Sequence, residues 1–211
     1  MIIGVLSDTH GLMRDETMQA LCGCDVILHA GDVGGKSVLE RLESIAPVHV
    51  VYGNVDPPGA WGLPLVWEGE IAGCHIAMAH RRKDLPSQAD IFVYGHSHRY
   101  EEVWDGPALY MNPGSCGPRR FHLPCTLALL DTGHGTLKVH RRDLLAEEKP
   151  VPAGDMRETV EKVVRDLQKG KTRDAIAKKY RLDRQLTEQI IRLYVTHPGV
   201  DTDGILRKMG L

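Results

Sequence analysis

The chain has 211 residues, of which 42% are hydrophobic and 26% are charged. These values are ordinary for a soluble globular protein with one large domain, or with one medium domain and a small addition. The formal net charge of −2 gives no sign that the chain as a whole binds nucleic acid or a membrane surface.

The cysteines and the N-terminus indicate the cellular compartment. The five cysteines are an odd number without zinc-ribbon spacing, which is typical of reduced thiols in a cytosolic protein. The opening residues MIIGVLSD lack a basic leader, and no apolar stretch is long enough to cross a bilayer. We therefore expect a soluble, cytoplasmic protein that does not enter membranes.

Short apolar runs rich in Val and Ile recur along the first two thirds of the chain. The runs IIGVL, DVILHA and VHVVY are separated by stretches typical of helices, RDETMQALC and KSVLERLESI. Strands that alternate with helices predict an α/β layer. The later runs CHIAMA, DIFVY, ALYM, TLALLD and TLKVH follow one another closely and predict added antiparallel strands.

The last quarter of the chain differs from the rest. The segment EEKPVPAGDM predicts a linker, and RETVEKVVRDLQKG and TRDAIAKKYRLDRQLTEQIIRLYV predict amphipathic helices before a short last helix. Residues 155–211 contain 13 Lys and Arg against 9 Asp and Glu, whereas residues 1–154 contain 13 against 19. We expect one domain at residues 1–148 and a linker with a helical module at residues 149–211.

The helical module has two interpretations. Its break near Leu182 and Asp183 and its positive charge are typical of a helix-turn-helix, which would make nucleic acid a partner. The alternative is a helical cap that docks on the body or pairs with another subunit in a homo-oligomer. We favour the cap, because basic helices are common and a helix-turn-helix cannot be assigned from pattern alone.

Polar residues follow five of the predicted strands directly. The carboxyl ends of strands are where open α/β sheets bind ligands. Glycines at positions 31, 53 and 95 are expected to let the chain turn sharply at this edge. The polar residues, in chain order, are Asp8, His10, Asp32, Asn54, His80, His96 and His98.

These seven residues have the chemistry of metal ligands. Imidazole, carboxylate and amide groups suit divalent ions such as Mn²⁺, Fe²⁺ or Zn²⁺. Seven donors are too many for one tetrahedral ion, and they suit two ions that share a bridging carboxylate. Two ions about 3.5–4 Å apart can clamp the attacking and leaving oxygens of an in-line phosphoryl displacement. On this hypothesis His96 and His98 supply one ligand to each ion.

The ordered motifs SDTH, AGDV, GNVD, AHR, GHSH and NPGS also carry a family resemblance. Over roughly residues 1–145 the chain resembles the calcineurin-like metallophosphoesterases. It is most similar to their small phosphodiesterase branch, whose relatives include a eukaryotic retromer scaffold subunit. The resemblance implies a four-layer α/β/β/α sandwich, here with a small C-terminal helical appendix.

The resemblance further implies a dinuclear site. Its first metal would be held by Asp8, His10, Asp32 and His98, and its second by Asp32, Asn54, His80 and His96. Mn²⁺ is our first choice for both ions, with Fe, Zn, Ni and Mg as alternatives. The residues that the resemblance marks as catalytic are Asp8, Asp32, Asn54 and His80.

The sequence departs from the family pattern at two places. Val55 stands where many relatives have a histidine that protonates the leaving group, although the small phosphodiesterase branch commonly lacks it too. Arg81 and Arg82 follow His80, where the family usually has glycine. Arg81 is a candidate for substrate binding, with a solvent-exposed arginine as the alternative. Arg119 or Arg120 could also reach the substrate.

Two functions of different classes follow. The first is a metal-dependent phosphodiesterase in which a bridging hydroxide attacks a small substrate such as a nucleotide or an aryl diester. The second is a non-catalytic scaffold, or a nucleic-acid-binding regulator, on the same fold. We favour the enzyme, because a scaffold has no need of seven aligned donors. His29, in LHAGD, fits a supporting or core position better than metal ligation.

Overall fold

The computed structural model describes residues 1–119, 123–144, 153–180, 182, 184–197 and 199–209. These residues form two compact units, one with ten strands and two α-helices and the other with four α-helices. Most of the predicted linker lies outside the described residues, as do Arg120 and Asp183.

The elements are numbered in chain order. The strands are β1 (Ile2–Leu6), β2 (Val26–His29), β3 (Val48–Val50), β4 (Val66–Ile71), β5 (Cys74–Ala79), β6 (Ile91–Val93), β7 (Tyr100–Asp105), β8 (Ala108–Pro113), β9 (Thr126–Asp131) and β10 (Lys138–Asp143). The helices are α1 (Asp15–Leu21), α2 (Lys36–Glu43), α3 (Ala153–Gln168), α4 (Arg173–Tyr180), α5 (Arg184–Thr196) and α6 (Thr202–Lys208).

The strands of the first unit form two mixed sheets. The first sheet has the order β10-β9-β1-β2-β3, in which β1, β2 and β3 run parallel and β9 pairs antiparallel with β1. The second has the order β4-β5-β6-β8-β7, in which β5, β6 and β8 run parallel between two antiparallel edge strands. Each sheet therefore contains three neighbouring parallel strands, which end at the same edge of the sheet.

The first unit has its core between the two sheets. Val5 and Leu28 of the first sheet pack in one cluster with Ile76, Met78 and Val93 of the second. A second cluster joins α1 and α2 to the outer face of the first sheet. This arrangement confirms the α/β sandwich, because each sheet buries an apolar face against another layer.

The second unit has a small core of its own, in which Val160 and Val163 of α3 pack with Ile176, Ile190 and Ile205. Helix α4 ends at Tyr180 and α5 begins at Arg184, so the predicted break lies between them. No described helix is both long enough and apolar enough to cross a membrane.

A buried acid lies inside the helical unit. Asp166 is 1% exposed, and its Oδ2 accepts hydrogen bonds from Lys171 (2.9 Å), Lys179 (2.7 Å) and the Tyr180 hydroxyl (2.8 Å). The ammonium of Lys179 is therefore already paired within the unit. This pairing counts against Lys179 as a contact to nucleic-acid phosphates.

Candidate metal centre

The seven predicted donors lie just beyond the carboxyl ends of five strands, β1, β2, β3, β5 and β6. The loops after β1 and β2 are joined by main-chain hydrogen bonds, from Asp8 N to Gly31 O (3.0 Å) and from His10 N to Asp32 O (2.9 Å). The His96 N–H, in the loop after β6, donates to Asp8 Oδ2 (3.0 Å), so the two sheets bring their donor-bearing loops to one place. We call the seven residues the donor cluster: Asp8, His10, Asp32, Asn54, His80, His96 and His98.

One half of the donor cluster is built by Asp8, His10 and His98. The Nε2 atoms of His10 and His98 lie 3.2 Å apart, and their rings stack with centroids 5.1 Å apart. His98 Nε2 lies 3.1 Å from Asp8 Oδ1, and His10 Nε2 lies 3.8 Å from the same oxygen. One ligand atom from each of the three residues can therefore face a common point.

The other half is built around Asn54. Its Oδ1 lies 3.1 Å from His80 Nε2 and 2.7 Å from His96 Nδ1. Asp32 lies between the halves, because its Oδ1 is 3.3 Å from His80 Nε2 and its Oδ2 is 3.8 Å from His10 Nε2. The structure thus brings together all seven predicted donors.

The backbone of the donor cluster is unusual. Seven non-glycine residues of the described chain have a left-handed φ, and five of them belong to the cluster. A non-glycine residue with positive φ costs free energy and persists only where its surroundings hold it. Strain of this kind concentrates at functional sites. The five are Asp8 (55°), His10 (47°), Asp32 (53°), His96 (70°) and His98 (59°).

The glycines of this edge have two different roles. Gly31 has a φ of 88°, as expected for a sharp turn. Gly53 and Gly95 do not have a positive φ, so the expected turn geometry is not what requires glycine there. A Cβ at Gly53 would lie 2.8 Å from Asp32 Cγ, and one at Gly95 would lie 2.7 Å from Asp8 Oδ2. Asp32 occupies the space that a side chain would need at Gly53, and the Ser7 hydroxyl and the Asp8 carboxylate occupy it at Gly95.

Asp56 supports the cluster, and sequence reasoning assigned it no role. It is 4% exposed, and its carboxylate accepts hydrogen bonds from the main-chain N–H groups of Val33 (3.0 Å), Gly34 (2.9 Å) and Gly53 (2.9 Å). Asp56 thereby fixes the loop after β2 against the loop after β3. Its place in the motif GNVD was the available signal.

The NPGS segment supports the loop that carries His96 and His98. Asn112 Nδ2 donates to Gly95 O (2.8 Å) and to Ser97 Oγ (3.1 Å). The Ser115 hydroxyl donates to the main-chain oxygen of Asp8 (2.9 Å). This segment therefore connects the two loops that hold Asp8, His96 and His98.

His29 lies beneath the cluster and is fully buried, in the supporting position that the sequence predicted. Its Nδ1 accepts a hydrogen bond from the Gly31 N–H (3.2 Å), so its Nε2 carries the proton and donates to Thr9 Oγ1 (2.9 Å). Burial lowers the pKa of His29 to about 4, which keeps the ring neutral. The fixed tautomer connects the loops after β1 and β2.

The groups packed around Asp8 and His96 shift the pKa values of both side chains. Burial raises the pKa of Asp8, but the imidazole of His98, 3.1 Å from Asp8 Oδ1, and the Ser7 hydroxyl outweigh burial and hold the pKa below 3.8. Burial and the charges of His80 and Arg81 lower the pKa of His96. A carboxylate therefore faces imidazoles, an arrangement suited to a cation.

The donor cluster fits divalent metal ions. Asp8 Oδ1 is buried and accepts no hydrogen bond from any described residue. A buried carboxylate oxygen without a donor costs free energy unless a cation meets it. Imidazole, carboxylate and amide donors are the ligands that Mn²⁺, Fe²⁺ and Zn²⁺ accept.

The two arginines predicted to bind substrate lie in different surroundings. Arg81 lines a pocket together with His96, and its charge acts on that imidazole. Arg119 lies close enough to Cys125 to oppose, with Arg14, the effect of burial on the pKa of that thiol. Arg81 thus borders the donor cluster, whereas substrate contact by either arginine stays a prediction.

The sequence matches a family model, the calcineurin-like phosphoesterase superfamily domain, over residues 1–135. The chain belongs to this superfamily. The superfamily is metal dependent, in agreement with the donor cluster. Helices α3 to α6 lie beyond the matched residues, so the superfamily assignment covers the first unit alone.

Relatives and solved structures similar to this chain are consistent with its place in the superfamily. A probable metallophosphoesterase of Methanothermobacter thermautotrophicus is 30% identical over 148 residues, which are 61% of this chain and 85% of the relative. The structure of an archaeal phosphodiesterase has a TM-score of 0.55 at 21% identity, covering 67% of this chain and 100% of that chain. Zinc-complexed Vps29 of Entamoeba histolytica has a TM-score of 0.53 at 22% identity, covering 69% and 100%. At these identities, the two structures support the fold of the superfamily.

Proposed function

We propose that the protein is a metal-dependent phosphodiesterase with a dinuclear site. The observation that carries the proposal is Asp32, whose two oxygens lie 3.3 Å from His80 Nε2 and 3.8 Å from His10 Nε2. A carboxylate placed between two sets of donors suits two ions that share one ligand. Two ions can clamp both oxygens of an in-line phosphoryl displacement.

The proposed ligands divide into two sets. The spacing of the side chains supports Asp8, His10, Asp32 and His98 for one ion and Asp32, Asn54, His80 and His96 for the other. Mn²⁺ is the proposed metal in preference to Mg²⁺, because a set with four imidazoles is poorly suited to Mg²⁺, which prefers oxygen ligands. When bound, the two ions would supply a hydroxide nucleophile by lowering the pKa of a water, and would neutralise charge on the phosphoryl oxygens.

The protein's own groups orient the site. The Val55 N–H donates to Asp32 Oδ1 (3.0 Å), and the His80 Nδ1 lies 2.8 Å from Ala30 O, so the main chain fixes both side chains. A hydrogen bond to the second nitrogen of a histidine sets its tautomer and aims the other nitrogen at the metal. These contacts hold the ligands before the substrate arrives.

Val55 determines which esters are favoured. Its side chain is 48% exposed next to Asp32 and cannot donate a proton. A leaving group that needs protonation then departs slowly, because a positioned general acid contributes about 10²–10⁴-fold. The favoured substrates are small phosphodiesters with good leaving groups, such as aryl diesters or nucleotide diesters.

The backbone strain of the donor cluster supports an enzyme over a scaffold. Five left-handed non-glycine residues cost free energy that a docking surface has no reason to retain. The likeness to Vps29, at 22% identity, bears on the fold and leaves the intact donor set unexplained. A phosphodiesterase accounts for both the backbone strain and the intact donor set.

Hydrolysis of bis(p-nitrophenyl) phosphate by the purified chain tests the proposal. The protein is stripped with a chelator, dialysed and reloaded with Mn²⁺ or Mg²⁺, and bound metal is counted by elemental analysis. We expect no turnover after stripping, two ions bound per chain after reloading, and better recovery with Mn²⁺. Full activity in the metal-free protein would contradict the proposal.

A further inference from the structure

A pocket of about 510 Å³ adjoins the donor cluster. The two share His96, whose Nδ1 lies 2.7 Å from Asn54 Oδ1. We call it the basic pocket, because three consecutive cations from the segment after His80 line it. Its main lining residues are Arg81, Arg82, Lys83, Tyr94, His96 and Glu101.

The basic pocket has a net positive charge. Glu101 is the one carboxylate among its lining residues, and it already accepts a hydrogen bond from the Tyr94 hydroxyl (2.6 Å). Asp84 belongs to the same short turn but does not line the pocket. Three cations thus face one occupied carboxylate.

Arg82 is held in place by aromatic rings. Its guanidinium carbon lies 4.8 Å from the centre of the Tyr110 ring and 5.4 Å from that of Tyr94. Tyr110 in turn stacks on Phe92, with centroids 4.5 Å apart and planes 12° apart. Arg82 Nη1 donates a long hydrogen bond to the Tyr94 hydroxyl (3.5 Å), and the other N–H groups of the guanidinium edge are available to a ligand. Among the described residues, Arg82 forms no ion pair.

We propose that the basic pocket binds a second phosphate of the substrate, so that the preferred substrates are phosphoesters that carry another phosphate beside the scissile one. This inference rests on the proposed function, in which the donor cluster receives the scissile group. The scissile diester carries a single negative charge and would lie at the donor cluster. The three cations of the pocket would then have no substrate anion to pair with. A phosphate monoester group can accept two parallel N–H bonds from Arg82.

Kinetics with two matched substrates test the inference. Thymidine 5′-(p-nitrophenyl phosphate) and the same compound with a 3′-phosphate release the same leaving group. We expect the wild type to have a kcat/KM about tenfold higher for the 3′-phosphorylated compound, as one charge-assisted contact can provide. In Arg82→Gln this ratio should fall to near one, whereas Arg142→Gln, an exposed arginine of β10, should keep it.

Arg82 is a sharper test than Arg81. The charge of Arg81 acts directly on His96, so its removal would also alter the donor cluster. The contacts of Arg82 are instead with the rings of Tyr94 and Tyr110 and with the Tyr94 hydroxyl. A change in the substrate ratio of Arg82→Gln therefore reports on the second phosphate.

Equilibrium binding gives a readout that does not depend on turnover. Thymidine 3′,5′-bisphosphate and thymidine 5′-monophosphate are titrated calorimetrically into the Mn²⁺-loaded chain of 211 residues. We expect the bisphosphate to bind about tenfold more tightly, with the advantage lost in Arg82→Gln and kept in Arg142→Gln. Equal Kd values for the two nucleotides in the wild type would overturn the inference.

The two proposals fail in different ways. If neither aryl substrate is hydrolysed with any metal, the proposed phosphodiesterase function fails, and the binding experiment still decides the basic pocket. If both substrates are hydrolysed equally well and Arg82→Gln does not change their ratio, the pocket inference fails while the phosphodiesterase function stands.

Discussion

His80 and Asp32 meet at the centre of the donor cluster, with His80 Nε2 lying 3.3 Å from Asp32 Oδ1. The second oxygen of Asp32 faces His10 at 3.8 Å. Removal of the carboxylate therefore affects both halves of the cluster, whereas removal of one histidine affects a single half.

Asp32→Asn should lower activity and metal content more than His10→Ala does. Loss of even an outer partner of a metal ligand costs about 10–100-fold, so we expect a loss of at least about 100-fold in kcat/KM for Asp32→Asn. Bound metal and bis(p-nitrophenyl) phosphate hydrolysis are measured together. Asp105→Asn, an exposed residue of β7, is the control. A milder effect of Asp32→Asn than of His10→Ala would argue against a shared ligand.

Val55→His should raise phosphomonoesterase activity relative to phosphodiesterase activity. Val55 is 48% exposed beside Asp32, so a histidine there can reach a leaving group and protonate it, a contribution of up to about 10²–10⁴-fold. The ratio of rates on an alkyl phosphate monoester and an aryl diester checks this. Val103→His, at a similarly exposed valine, should leave the ratio unchanged. The same ratio in both variants would mean that protonation does not limit the rate.

Gly53→Ala should disrupt the donor cluster although its backbone does not require glycine. The added methyl would lie 2.8 Å from Asp32 Cγ, and overpacking of this kind costs about 1–3 kcal/mol. We expect a lower thermal midpoint and weaker metal binding. Gly35→Ala is the matched control, because the nearest atom to a Cβ there is Ser37 Oγ at 3.7 Å. Equal thermal midpoints and equal metal binding in the two variants would contradict the steric explanation.

Asp166→Asn should destabilise the helical unit selectively. The variant removes the buried carboxylate charge that forms ion pairs with Lys171 and Lys179. The control variant Glu158→Gln removes only an exposed ion pair with Lys162. Hydrogen exchange of α3 to α6 should accelerate in Asp166→Asn and stay near the wild-type rate in Glu158→Gln. Similar exchange in both would show that the buried acid contributes little.

The helical unit should also lose stability in acid. Hydrogen bonds from Lys179 and Lys171 hold the pKa of Asp166 below its ordinary value of 3.8. The unfolded carboxyl thus takes up a proton at a higher pH than the folded one does. Its stabilising contribution is present above pH 3.8 and declines as the pH falls below that value. Hydrogen exchange measured between pH 5 and pH 3 should show this loss in the wild type and a weaker loss in Asp166→Asn.

The convergence of the donors could be predicted from the sequence, and their backbone geometry could not. Each donor follows a Val- and Ile-rich run, and parallel strands end at a common edge. Asp8 and His10 have a left-handed φ, and their main-chain N–H groups donate hydrogen bonds to the loop after β2. That loop is distant in sequence, so a local pattern could not predict this geometry. The roles of Gly53 and Gly95 were likewise set by side chains from other loops.

Two strands escaped the sequence analysis for a physical reason. Strands β4 (VWEGEI) and β7 (YEEVWD) lie at the edges of the second sheet, where polar residues face solvent and interrupt the apolar pattern. The hydrogen bonds from Lys179 and Tyr180 of α4 to Asp166 of α3 could not be predicted either, because these residues meet only after the helices pack. The periodicity of a segment does not contain such long-range contacts.

The Asp56 carboxylate accepts hydrogen bonds from main-chain amides of two loops, those of Val33, Gly34 and Gly53. None of these amides can open to solvent without disturbing the same carboxylate. We expect their hydrogens to exchange with one shared free energy of opening, as a single cooperative unit that includes the loops after β2 and β3. Thermal motion that displaces Asp32 would then displace Asn54 with it, so the two halves of the donor cluster would loosen together.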